Sequence, residues 1–85
     1  MYTTVSNEGS LVAAVSSITL AIKGQRALGA SGIAAEVISL SPGESRRGCA
    51  YGLAFSPSAE GAARAALRAA RIPVSQYLRK GGPLP

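Results

Sequence analysis

Eighty-five residues with one cysteine, no histidine and no tryptophan make a single small domain. The lone thiol excludes an intrachain disulfide, a multi-thiolate zinc site and a one-chain iron–sulfur cluster, and the lack of histidine excludes imidazole acid–base catalysis and most transition-metal sites. A net charge of +5 favours anionic partners without naming one, and a solvated basic surface is the plain alternative.

Residues 1–10 are small and polar, and Asn7-Glu8-Gly9-Ser10 reads as a turn or a lead-in to the domain. They carry no basic segment of a secretory signal, and no apolar run approaches membrane-spanning length, so a reducing, cytoplasmic location is expected. Leu11 to Val15 is a short apolar run that predicts a buried central strand. Ser16 or Ser17 suits the N-cap of a helix over Ile18 to Ala30, with Ile18, Ala21, Ile22 and Leu28 as its apolar face. Gly24 weakens that helix but permits close contact with a sheet, and the glycines around Gly29-Ala30-Ser31-Gly32 supply the left-handed stop.

Ile33 to Leu40 predicts a second, more exposed strand interrupted by Glu36. Ser41-Pro42-Gly43 ends it, a loop carrying Cys49 follows, and Tyr51 to Phe55 predicts a third strand, antiparallel to the second because no helix separates them. Ser56 and Pro57 suit the N-cap and first position of a second helix through Ala70, with Ala63, Ala66, Leu67 and Ala70 inward. Glu60 and Arg64 are spaced to pair along it, and Arg64, Arg68 and Arg71 gather on another side. Val74 to Leu78 predicts a fourth, edge-like strand, and 79–85 a basic, flexible Gly-Pro tail. The order β-α-β-β-α-β predicts an α+β, ferredoxin-like domain over residues 11–78. One four-stranded antiparallel sheet would carry both helices on one face.

The chemical interest lies in Arg46-Arg47-Gly48-Cys49-Ala50-Tyr51-Gly52-Leu53. A cysteine reacts as its thiolate, and Arg46 and Arg47 place positive charge two and three residues upstream. Gly48 and Gly52 limit steric cover, so the thiol is expected to face solvent at the start of the third strand. Against this, free cysteine is among the most buried residue types. The arginine pair equally suits a phosphate or carboxylate, or plain solvation. Tyr51 is a possible ligand contact, although a strand tyrosine more often packs half-buried. No phosphate-loop or dinucleotide glycine pattern occurs.

These residues, with Ile18 to Leu28, Gly32-Ile33 and Pro42, resemble a small bacterial family of ferredoxin-like domains described as selenium/sulfur carrier-like. The resemblance covers about residues 11–78. It implies that Cys49 carries the chalcogen as a persulfide or selenopersulfide; local charge and steric access, not the resemblance, make Arg46, Arg47, Gly48 and Gly52 the thiolate-supporting residues. It further implies donor and acceptor proteins as partners, no cofactor, and no enzymatic turnover of the chain's own. The competing expectation is a small non-catalytic subunit docking on a larger complex, with Cys49 incidental. RNA binding ranks third, because the aromatic pattern of RNA-recognition sheets is absent. The alanine-rich core with one phenylalanine favours a homo-oligomer or heterocomplex in either case.

Overall fold

The computed structural model of the protein describes residues 10–41 and 49–80. In chain order these form β1 (Ser10–Val15), α1 (Ile18–Ala30), β2 (Glu36–Ser39), β3 (Tyr51–Phe55), a short 3-10 turn at Pro57–Ala59, α2 (Glu60–Ala69) and β4 (Gln76–Lys80). The sheet order is β2-β3-β1-β4, and every neighbouring pair is antiparallel. This is the expected small α+β ferredoxin-like fold.

Local chemistry explains the helix ends. The Ser17 hydroxyl accepts the Leu20 N–H at 3.2 Å and so caps α1. At the other end Gly32 takes φ +78°, and the Ile33 N–H returns to the Leu28 carbonyl at 2.9 Å. The Ser56 hydroxyl accepts the Ser58 N–H, and Pro57 opens the turn leading into α2. That helix ends by the same device as α1, with Ile72 N–H on the Leu67 carbonyl, but the left-handed position is held by Arg71 at φ 59°.

Both helices lie on one face of the sheet. Leu11, Ala13 and Val15 of β1 and Leu53 and Phe55 of β3 pack there with Ala21, Leu28, Ala63, Leu67 and Ile72. Leu28, Leu53 and Leu67 are the largest fully buried side chains, each contributing about 1.5–3 kcal/mol by burial. Gly24 brings α1 down onto this face, since a Cβ there would meet Leu53 Cδ1. The alternate residues of β1, Val12 and Ala14, form a separate cluster with Leu40 and Cys49 on the opposite face. Five consecutive residues of β1 are therefore buried, as its central position requires.

Four details differ from the sequence reading. Ile18 and Ile22 are exposed, because α1 turns Ala21, Gly24 and Leu28 inward; two small residues permit a closer approach than two isoleucines would. In α2, Ala63 and Leu67 are buried but Ala70 is exposed. The second strand is shorter than Ile33 to Leu40, because Ile33 is drawn into the turn that closes α1. The fourth begins two residues later than Val74 and runs through Arg79 and Lys80, into the span expected as tail.

Candidate functional site

The only thiol sits just ahead of β3. Ser39 pairs with Tyr51, and the Leu40 N–H reaches the Ala50 carbonyl at 2.8 Å. An uninterrupted strand would turn Cys49 to the helix-covered face with Tyr51. Instead Cys49 belongs to the opposite cluster, beside Leu40, Val12 and Ala14, so the chain changes direction where the ladder stops. β3 enters the sheet beside the carboxyl end of β1, because Tyr51 stands opposite Val15.

The Cys49 side chain is buried, with 6% of its surface exposed. This corrects the expectation of a solvent-facing thiol. The flanking glycines signalled access, but the sulfur turns inward onto the apolar side of a central strand. It lies against the side of the sheet that the helices do not cover. Its Sγ is 3.0 Å from Ser75 Oγ, a hydrogen bond in which either atom can donate. Ser75 is itself fixed at the approach to β4, where its N–H donates to the Ala14 carbonyl at 2.9 Å. The backbone of β1 thus holds the serine, and the serine holds the sulfur.

Ser75 was not among the residues singled out from sequence. It stands 26 positions from Cys49, and nothing in its neighbours Val74 and Gln76 marks it. Only the strand order, which sets the starts of β3 and β4 on either side of the end of β1, brings the two together.

The other candidates separate. Arg46, Arg47 and Gly48 lie outside the described residues, as does the Pro42-Gly43 turn. Gly52 stands opposite Ala14 and Ile38 in the sheet, and a Cβ there would meet Val12 Cγ1 at 2.5 Å and Leu40 Cδ1 at 3.6 Å. The structure therefore gives Gly52 a packing role: it makes room for the cluster that encloses the thiol. Tyr51 is half-buried and packs with the core on the helix-covered face, away from the Cys49 cluster. No helix among the described residues is long and apolar enough to cross a membrane.

A lone thiol, hydrogen-bonded to a hydroxyl in an apolar cluster, is a monofunctional centre. It can form one sulfur–sulfur or sulfur–selenium bond and return to the thiol by exchange with an outside thiol. Residues 10–79 match the family described as "Putative Se/S carrier protein-like". No curated protein and no solved structure matches the chain.

Proposed function

The chain belongs to this Se/S carrier protein-like family, and on that premise we propose that it is a non-enzymatic carrier that holds a persulfide or selenopersulfide on Cys49. One observation carries the reading: the matched span contains a single thiol, so a chalcogen held through a thiol has no other place in this chain. In the loading step the Cys49 thiolate attacks the outer sulfur of a donor protein's cysteine persulfide. The donor's sulfur–sulfur bond breaks, a new one forms on Cys49, and the electron pair leaves with the donor's thiolate. Delivery repeats the exchange with an acceptor thiol attacking the outer atom, so neither half needs an oxidant or a cofactor. Donor and acceptor proteins are the partners this chemistry requires.

Burial gives the carrier a specific form. A bound outer sulfur in an apolar cluster is shielded from stray thiols, and the Ser75 hydroxyl supplies a donor to Cys49 Sγ when it is a thiolate, before loading and after delivery. Access then depends on opening the junction of Cys49 and Ala50 with β3, where the chain is outside the ladder. Arg46 and Arg47 are proposed as the cations that favour the thiolate during exchange.

The same burial favours a second reading, in which Cys49 is a small core residue of a docking subunit. Incubation with a cysteine desulfurase and cysteine, followed by intact mass, separates the two. The carrier gains one sulfur atom, loses it to dithiothreitol, and gains nothing as Cys49→Ser. A folded wild-type chain that gains no sulfur, and whose thiol is alkylated only after unfolding, is the docking subunit. Under the carrier reading, replacing Arg46 and Arg47 together by alanine slows alkylation near neutral pH and leaves the circular dichroism unchanged.

A further inference from the structure

The α2–β4 side of the domain holds a groove that plays no part in the thiol chemistry. It has a volume of about 240 Å³ and is lined by Arg64, Leu67, Arg68, Ile72, Val74 and Tyr77. Leu67 and Ile72 are buried and form an apolar floor, while Val74 and Tyr77 are half-buried along the side of β4. From this we propose that the groove binds a small monocarboxylate with an apolar or single-ring aromatic body, its carboxylate between Arg64 and Arg68 and its body on Leu67, Ile72 and Val74.

Arg64 is already oriented for the task. Its guanidinium lies 3.9 Å from the centre of the Tyr77 ring. Its Nε and Nη2 both reach Glu60 Oε2, each at 2.9 Å. One oxygen of Glu60 therefore takes one edge of the guanidinium, and the Nη1 hydrogens remain for another acceptor. Arg68 stands one turn further along α2, with no carboxylate partner among the described residues. Planar guanidiniums match the two oxygens of a carboxylate.

Charge and size select the class of ligand. Two guanidiniums against the one carboxylate of Glu60 leave a single net positive charge at the groove, which suits a monoanion better than a phosphate dianion. The volume lies below the roughly 300–1,000 Å³ of drug-sized sites, which limits the body to about one ring. Burial raises the Tyr77 hydroxyl above its ordinary value of 10.0, although Arg64 and Arg68 pull it down, so it stays protonated near neutrality and can donate. The proposal does not depend on the carrier reading.

Titrating the full-length chain with phenylacetate, followed by backbone amide shifts, tests it. Phenylacetate should give saturable shifts concentrated between residues 64 and 77. Acetate, which has the charge without the ring, should bind at least about ten-fold more weakly, and so should phenylacetate to Arg68→Gln. Arg68 is exposed, so that variant keeps the fold. Shifts that do not saturate, an equal response to acetate and inorganic phosphate, or unchanged phenylacetate binding by Arg68→Gln would each overturn the proposal.

Discussion

On one face the sheet buries Leu11, Ala13, Val15, Leu53 and Phe55 beneath two helices, whereas on the other the buried residues among those described are Val12, Ala14, Leu40 and Cys49, with Ile38, Ala54 and Leu78 partly buried against them. β1 supplies both clusters, so the contrast lies in what each face is packed against. The first cluster is wide and contains the three largest fully buried leucines. The second is narrow and depends on the missing side chain of Gly52. Local opening costs least where few apolar contacts are lost. The thiol therefore sits on the side of the domain where a short excursion can expose it without dismantling the helical layer.

The largest expected effect falls on the wide side. Leu53→Ala should cost about 2–5 kcal/mol of unfolding free energy in a urea titration, because Leu53 is fully buried between α1 and the sheet. A cost under about 1 kcal/mol would mean the helical layer is not the dominant core.

The two packed glycines sharpen the contrast. Gly52→Ala drives a methyl against Val12 Cγ1, on a stiff β-branched side chain, and should cost about 1–3 kcal/mol. Gly24→Ala meets the far ends of two flexible side chains, Leu53 Cδ1 and Leu67 Cδ2, and gains about 1 kcal/mol of helix propensity, so its net change should be smaller. The reverse ranking in thermal melts would break the distinction between the faces.

Ser75→Ala removes the hydrogen bond to Cys49 and should cost about 0.5–1.5 kcal/mol. If opening on the narrow side limits access, native-state alkylation of Cys49 should speed up by about five-fold for a loss near 1 kcal/mol. An unchanged rate would show that the serine does not hold the sulfur in place.

The smallest effect concerns pH. Burial raises the folded-state pKa of Tyr77 above its ordinary 10.0, so folding favours the neutral hydroxyl. That contribution is fully present below the ordinary value and is lost as pH rises through the folded value. Tyr77→Phe should therefore lose less stability than the wild type between about pH 9 and about pH 11. Its Cys49 alkylation should be unaltered, because Tyr77 packs on the wide side.

What was legible in the sequence was local. Ser17 and Gly32 fixed the ends of α1, and the spacing of Glu60 and Arg64 predicted their ion pair. The order of elements was enough to predict the sheet and the side on which the helices lie. The face of α1 was misjudged because isoleucines weigh more than glycine on any apolar scale, while close packing favoured Gly24. Arg79 and Lys80 read as tail because charge argues against a strand interior, yet an edge strand tolerates it. At the site, Cys49 stood out by being unique, but its burial and its bond to Ser75 depend on residues brought together from four separate segments. No short-range pattern encodes that meeting.

The central place of β1 also governs how the chain can be made. Its partners are β3 and β4, so Leu11 to Val15 leave the ribosome with nothing to pair against until residue 51, and one edge stays open until residue 76. That segment is apolar, uncharged and free of proline, the composition that templates strand-to-strand aggregation. α1 can form early from its own local signals, but the sheet closes only once β4 has been synthesised. A nascent or clipped chain ending before Gln76 carries an exposed, adhesive strand, and solubility during biosynthesis is tied to translation running through Lys80.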